Sequence, residues 1–164
     1  MSRTVPLTDF DCVSQIISQL RIFGGVTDEQ RATMFRRLEL WTLSKGEYVF
    51  HKGEEPCAIY IVKSGWIDLQ ITENNVTIHK HQLCVGECFG EASFMSMHRH
   101  TSTAVAGVNS EVIVLTRSAL IQLKREDMEL FALLMMNLAR ELARRLYITD
   151  QMLLAATGKN ASAA

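Results

Sequence analysis

Residues 86–105 read G-E-C-F-G-E-A-S-F-M-S-M-H-R-H-T-S-T-A-V and combine a strand end, a glycine and a short helical segment. Phe89 suits the end of a strand, and Gly90 has no Cβ, so the backbone there can approach a ligand closely. Residues 91–95 have the composition of a single helical turn. Because the first N–H groups of a helix are free, such a turn forms a site for an anion such as phosphate. We therefore predict a phosphate site that begins at Gly90.

Polar side chains on both sides of this helical turn extend the predicted site. Glu91 supplies a carboxylate, which beside a bound phosphate suits sugar hydroxyls better than a second anion. Thr101, Ser102 and Thr103 bring three hydroxyl groups into the start of the next predicted strand. Together these groups are typical of a site for phosphate and ribose.

This segment resembles the phosphate-binding cassette of cyclic nucleotide-binding domains, whose pattern is F-G-E, a short apolar helix, P-R and A-T-V. Phe89, Gly90 and Glu91 match its start, and Thr103 matches the threonine before the closing valine. The resemblance extends over roughly residues 15–150. Turn glycines and apolar strands of the family match here at Gly46-Glu47, Phe50, Gly53, Tyr60-Ile61-Val62, Gly65 and Gly86.

The resemblance implies a mainly β fold, an antiparallel β-roll or jelly roll (a double-stranded β-helix) with N-terminal helices and a long C-terminal helix. It assigns Glu91 to the ribose 2′-hydroxyl and the backbone of Gly90, Ala92 and Ser93 to the phosphate. The expected ligand is a cyclic nucleotide, with no metal, and the expected protein is a regulatory or sensor module without catalytic residues.

Base selectivity is less clearly marked than the sugar site. Thr101 follows the position of the family's arginine, where a hydroxyl residue tends to accompany cGMP use, but bacterial cAMP binders that resemble this chain carry one as well. We favour cAMP over cGMP. The long helix near residues 147–154 is expected to cap the base, with Tyr147 as a stacking partner.

One departure from the family pattern affects the phosphate. The family's phosphate-binding arginine falls on His100, and the proline before it falls on Arg99. A histidine with its ordinary pKa near 6.5 is mostly neutral at pH 7 and lacks the bidentate fork of a guanidinium. Two alternatives follow. Either His100 carries a proton when it binds phosphate, or Arg99 reaches the phosphate after a shift of the loop, since neighbours on an extended chain point to opposite faces.

The remaining sequence predicts three segments of one domain: an N-terminal helical segment at 1–37, the β-roll at 38–116 and C-terminal helices at 117–156. Residues 1–8 show no periodicity, and apolar residues with helical spacing begin after Asp9. Thr27 and Gln30 have the spacing of a capping box for a second helix. The predicted strands are 38–43, 48–50, 58–62, 66–71, 76–81, 102–106 and 111–116, separated by turn residues.

The long helix predicted at about 127–156 is apolar on two sides. One stripe comprises Phe131, Leu134, Met135, Leu138, Leu142, Leu146, Met152 and Leu153, and the other side comprises Leu133, Met136, Tyr147 and Leu154. A helix with two apolar faces packs against two surfaces. We favour a homodimer through this helix, as in relatives; the alternative is that both faces pack within one chain.

Composition limits the classes of partner. The net charge is −1, so no overall field favours nucleic acid or an acidic membrane surface. The four cysteines show no C-x-x-C spacing, which fits a reducing cytoplasm. No apolar run is long enough to span a membrane. Residues 157–164 are small and mostly polar, with no DNA-reading helix, so we expect a separate effector protein rather than direct DNA binding.

Histidines support an alternative from another class. His79 and His81 are two residues apart on a predicted strand, which would direct both rings to one side, and His98 and His100 repeat the spacing. Inward histidines and a glutamate in a β-roll are typical of a cupin-like metalloenzyme, although the spacing to Glu87 does not fit. A third alternative is a β-roll that has lost its ligand and acts as a dimerisation module.

Overall fold

The structure is a computed structural model of the 164-residue chain and describes residues 3–6, 21–73 and 76–161. The helix predicted after Asp9 and the turn at Asn74-Asn75 lie outside these residues. The strands are β1 (Arg3–Pro6), β2 (Glu39–Leu43), β3 (Tyr48–Phe50), β4 (Ala58–Ser64), β5 (Ile67–Glu73), β6 (Val76–Leu83), β7 (Cys88–Phe89), β8 (Thr103–Ala106) and β9 (Ser110–Thr116). The helices are α1 (Asp28–Phe35), α2 (Glu91–Ser96), α3 (Arg117–Glu126) and α4 (Met128–Ala161), with a 3₁₀ turn at Arg21–Phe23.

The strands form two antiparallel sheets, and the fold is mainly β with flanking helices, as predicted. The five-stranded sheet has the order β1-β2-β9-β4-β7, and the four-stranded sheet has the order β3-β8-β5-β6. The cassette connects them. It leaves the five-stranded sheet at its edge strand β7 and enters the interior of the other sheet at β8.

Strands β4 and β9 are buried on both faces, which explains why their sequences are almost continuously apolar. On β4, Ile59 and Ile61 pack against the helices, whereas Tyr60 and Val62 face the interior of the roll. This follows from the two-residue period of side chains along a strand. The five-stranded sheet therefore separates a helical layer from the core between the sheets.

The first helix begins at its predicted capping signal, whereas the last helix is longer than predicted. The capping box of α1 is present, because the Gln30 N–H donates to Thr27 Oγ1 and the Thr27 N–H donates to Gln30 Oε1, both at 3.2 Å. Helix α4 extends to Ala161, beyond the predicted end. No helix within the described residues is both long and apolar enough to cross a membrane.

The two halves of α4 differ in their packing. Leu130, Leu134 and Leu138 are completely buried against the five-stranded sheet and α3. The predicted apolar stripe is buried only in the first half of the helix, since Leu146, Met152 and Leu153 are exposed. Most of the apolar residues on the opposite side of the helix are exposed as well. The exposed apolar residues of α4 beyond the roll are Leu146, Tyr147, Met152, Leu153 and Leu154.

Two local predictions are wrong. The segment 1–37 is predicted to be helical, but Arg3–Pro6 within it pairs with β2 as strand β1. His79 and His81 do not share a face, because the register shifts between them: His81 lies opposite Leu69 and His79 lies opposite Gln70. Successive residues of β5 point to opposite faces, and so do their partners.

The cupin-like alternative loses its geometric basis as a result. His98 and His100 also differ, since the first is exposed and the second is buried. Within the described ranges, no three side chains of His, Cys, Asp or Glu come together as a metal site.

Candidate ligand-binding site

The cassette begins where β7 ends at Phe89, which pairs with Tyr60 of β4. Gly90 follows with φ 78° and precedes α2 as its N-cap residue. A Cβ at this position would lie 3.0 Å from Cδ2 of Tyr60. Glycine is therefore favoured by its left-handed backbone and by the close approach of the Tyr60 ring.

Glu91, the first residue of α2, is almost completely buried, with 1% of its surface exposed. Its Oε1 accepts a hydrogen bond from Nη1 of Arg145 at 2.6 Å. Its Oε2 is buried and has no hydrogen-bond partner among the described residues. Burial raises the pKa of Glu91, and the neighbouring Arg145 guanidinium opposes that rise.

Arg145 of α4 is the functional residue that sequence reasoning missed. Besides Glu91, its guanidinium donates from Nε to Glu141 Oε1 at 3.1 Å and from Nη2 to the Cys88 carbonyl. Burial lowers the pKa of Arg145, but the two carboxylates outweigh this effect and raise it overall. The spacing of Glu141 and Arg145 is that of an i, i+4 pair on a helix, which can be read from the sequence. The contact between Arg145 and Glu91 cannot, because these residues are 54 positions apart in the sequence.

His100 lies inside the roll rather than on its surface. Only 4% of the residue is exposed, and its ring stacks on Phe50 with centroids 3.6 Å apart and planes within 7°. Nε2 is buried without a hydrogen-bond partner in the part of the chain that the structure describes. The backbone is fixed by two bonds, since the His100 N–H donates to the Glu54 carbonyl and the His100 carbonyl accepts from Gly53 N–H. Burial lowers the pKa of His100, and the Glu54 carboxylate opposes this.

Arg99 points in the other direction. Its side chain is 66% exposed and donates from Nη1 to the Gly53 carbonyl at 2.8 Å. Nη2 lies 2.6 Å from Glu55 Oε1. The opposite orientations of Arg99 and His100 agree with the expectation for neighbours on an extended chain.

The remaining predicted residues occupy both ends of the cassette. Ala92 is exposed and Ser93 is half-buried in the first turn of α2, which has no side-chain cap. Thr101 is exposed and Ser102 is buried. Thr103 is half-buried, and its Oγ1 accepts a hydrogen bond from the backbone N–H of Lys52 at 3.0 Å.

One sizeable surface opening does not coincide with these residues. A cleft of about 890 Å³ lies between α1 and the start of α4, lined among others by Gln30, Thr33, Leu133 and Met136. It contains no cassette residue. We place the candidate site at the cassette, because it holds two of the four buried polar atoms that lack partners among the described residues, Glu91 Oε2 and His100 Nε2, and the other two belong to Arg31 and Arg37. Volume alone does not identify a ligand.

Comparison with known proteins identifies the family. The family model of the cyclic nucleotide-binding domain matches residues 40–127, a little over half of the chain. The chain therefore belongs to the cyclic nucleotide-binding domain family, whose members are generally non-catalytic regulatory modules. The matched residues include the entire cassette.

Similar proteins come from bacteria and from a eukaryotic parasite. The chain is 29% identical over 134 residues to the cyclic AMP receptor protein of Thermus thermophilus, covering 79% of this chain and 58% of that protein. The crystal structure of the Thermus thermophilus catabolite activator protein superposes with a TM-score of 0.73 at 28% identity, covering 84% of this chain and 63% of that one.

The cGMP-dependent protein kinase of Plasmodium berghei (strain Anka) is 26% identical over 102 residues, covering 62% of this chain and 11% of the kinase. The chain thus spans from about a tenth to three fifths of the length of these two curated relatives.

Proposed function

We propose that this chain binds a cyclic nucleotide at the cassette and acts as a non-catalytic regulatory module. The observation that carries the proposal is a pair of buried polar atoms without partners, Glu91 Oε2 and His100 Nε2, at the two ends of the cassette. Buried polar atoms normally have hydrogen-bond partners, and each one left alone costs about 1–3 kcal/mol. A ligand with a hydroxyl donor and an anionic acceptor satisfies both.

The ligand's ribose and phosphate have separate attachment points in this proposal. The ribose 2′-hydroxyl donates to Glu91 Oε2, which leaves the Oε1 bond to Arg145 intact. The phosphate lies beside His100 and the uncapped backbone of Gly90, Ala92 and Ser93. The hydroxyls of residues 101–103 complete the site on the β8 side.

For the base, we propose cAMP in preference to cGMP. Relatives named for each nucleotide are found, but the cyclic AMP receptor protein matches over more of this chain than the cGMP-dependent kinase does. Tyr147 is exposed in the free protein and available to stack on a base.

A thermal-shift series tests the proposal directly. Ligand at 100 times its Kd stabilises the native state by about 2.7 kcal/mol, which for a domain of this size raises Tm by about 5–10 °C. We expect such a rise with cAMP, a smaller one with cGMP at equal concentration, and none with linear 5′-AMP. A cGMP shift larger than the cAMP shift reverses the base assignment, and no shift with either at millimolar concentration rejects the ligand.

We further propose that the chain forms a homodimer through α4 and works in the cytoplasm on a separate effector protein, without contacting DNA itself. The exposed apolar residues 146, 147 and 152–154 of α4 support this, because such a patch is usually covered in soluble proteins. The segments 1–37, 38–116 and 117–156 then form one regulatory unit.

Association is tested by sedimentation with Leu153→Glu. Leu153 is exposed, so a charge there should leave the monomer folded and abolish the dimer at tens of micromolar protein, about the range in which weak pairs separate. Leu138 is unsuitable for this test because it is completely buried in the monomer. A native chain that sediments as a monomer, or a variant whose mass is unchanged, contradicts the dimer.

A further inference from the structure

His100 combines deep burial with the absence of an assigned partner. Its imidazole is stacked flat on Phe50, and Nε2 is enclosed by protein without a hydrogen bond. An ionised ring in this position would lack water and, among the described residues, a carboxylate in hydrogen-bond contact with Nε2, which is unfavourable. Burial accordingly lowers the pKa of His100 below its ordinary value of 6.5, so the ring is neutral at pH 7 in the free protein.

The groups packed around His100 do not supply a positive charge. Phe50 on β3 is apolar, and Tyr60 on β4, next to Phe50, stays neutral because burial raises its pKa. From the loop between them, the Glu54 carboxylate acts on the imidazole and accepts the backbone N–H of His51 at 3.0 Å. Arg99, the neighbour of His100 in the loop between α2 and β8, is directed outward.

Three cations near the cassette, Arg99, Lys52 and Arg145, are already paired with carboxylates. Arg99 lies against Glu55, and the ammonium group of Lys52 lies 2.8 Å from Glu73. Arg145 is shared between two carboxylates of its own. The guanidinium of Arg117 lies over the ring of Phe94 and donates to the Pro56 carbonyl. A phosphate beside His100 therefore meets an unprotonated imidazole, and these four cations already have other partners.

We propose that the imidazole of His100 takes up a proton when an anionic ligand binds, so that ligand binding at the cassette is coupled to proton uptake. This inference rests on the proposed function, since it needs a phosphate at the cassette. A bound anion favours the charged imidazole, and Nε2–H then donates to a phosphate oxygen. Where the family's arginine would give a permanent charge, this chain acquires the charge together with the ligand.

Linkage fixes the direction of the effect. The liganded state holds more protons than the free state at any pH between the lowered pKa of free His100 and its raised pKa in the complex. Affinity must therefore rise as pH falls through that range, by at most about tenfold per pH unit for one proton. A neutral His100 that donates from Nε2–H, or an Arg99 that swings in after a loop shift, would leave affinity independent of pH.

Calorimetric titration of the full chain with cAMP between pH 8 and 6 tests the inference. At each pH, two buffers other than phosphate are compared that differ in their enthalpy of ionisation, so that the difference in heat counts the protons taken up. His100→Asn is the matched control, because it keeps a neutral donor and every other titrating group, including Glu91. His100→Arg supplies the permanent charge, and Arg99→Ala removes the competing cation. Thermal unfolding without ligand verifies that each variant folds.

We expect the native chain to take up close to one proton near neutral pH and to gain about three- to tenfold in affinity per pH unit on acidification. His100→Asn and His100→Arg should bind with a flat pH profile, the first weakly and the second tightly, and Arg99→Ala should behave like the native chain. Native binding without proton uptake overturns the inference and leaves the proposed function standing. Binding by His100→Arg but not by the native chain also overturns it. If none of the proteins binds a cyclic nucleotide at millimolar concentration, the proposed function itself fails.

Discussion

Each end of the cassette holds a buried ionisable side chain, but the two side chains have different surroundings. Glu91 and His100 are both nearly completely buried, and each carries one polar atom without a partner. Glu91 faces a counter-charge, Arg145, which reaches it from α4. His100 faces the ring of Phe50 and has no cation or anion in hydrogen-bond contact with its side chain among the described residues.

This difference shows that burial alone does not decide what a buried ionisable group contributes. Burial favours the neutral form of both residues, which raises the pKa of the glutamate and lowers that of the histidine. Only Glu91 has a partner that opposes the effect through a charge-assisted hydrogen bond. Glu91 is thereby bonded to the C-terminal helix α4, whereas the charge state of His100 depends on the ligand.

Removing the counter-charge should have the largest effect. Arg145→Met leaves Glu91 buried and unpaired, which in a fully buried pair costs 3–5 kcal/mol. Because 29% of the Arg145 side chain is exposed, we expect a loss of about 2–3 kcal/mol in the free energy of unfolding, measured by urea denaturation.

Arg144→Met is the matched control on the same helix. Its side chain is 40% exposed and pairs with Glu141 alone, so its loss should stay below about 1 kcal/mol. Adding Glu91→Gln to Arg145→Met should recover part of the stability, because the uncompensated carboxylate is gone. Equal losses in Arg144→Met and Arg145→Met would show that the counter-charge at Glu91 is unimportant.

A second prediction compares the two ends through the ligand's sugar. Glu91→Gln keeps the shape of the side chain but weakens the bond to a 2′-hydroxyl, and we expect affinity for cAMP to fall by about 10- to 30-fold. The same variant should bind 2′-deoxy-cAMP about as well as the native chain does. Competition titrations with both nucleotides measure these affinities. If the native chain binds cAMP and 2′-deoxy-cAMP equally well, Glu91 does not bind the ribose 2′-hydroxyl.

The smallest effect concerns stability against pH in the absence of ligand, where the two ends should have opposite signs. The folded-state pKa of His100 is lowered, so the unfolded chain binds more protons and the native chain loses stability relative to His100→Asn as pH falls below 6.5. The folded-state pKa of Glu91 is raised above 4.5. The native chain therefore gains stability relative to Glu91→Gln as pH falls through that raised pKa toward 4.5.

Each difference should amount to less than about 1.4 kcal/mol per pH unit, the limit for one group. Chemical denaturation of the three proteins from pH 7.5 to 5 measures both differences. Slopes of the same sign would contradict the assignment of one of the two pKa shifts.

The sequence predicted the parts of this site that depend on neighbours along the chain. The strand end at Phe89, the glycine and the short helix follow from local backbone preferences, and the capping box at Thr27 and Gln30 needs only a three-residue spacing. The departure from the family pattern at His100 could also be read from the sequence, because it depends only on the positions counted from Glu91.

What the sequence did not predict depends on contacts between distant segments. Arg145 looked like one of several surface charges on a helix, and its contact with Glu91 requires the position of α4 on the roll. The bulge between His79 and His81 depends on how β6 pairs with β5, because an alternating pattern does not reveal an extra residue. Strand β1 has no periodicity of its own and exists through pairing with β2.

The bond between Arg145 and the cassette also has a mechanical consequence. Helix α4 continues from Arg145 to Ala161, about 24 Å of additional length at 1.5 Å per residue. Because this segment is long and Arg145 joins its base to Glu91, a small rotation there is magnified with distance. A tilt of about 10° at Arg145 would displace the far end of the helix by about 4 Å.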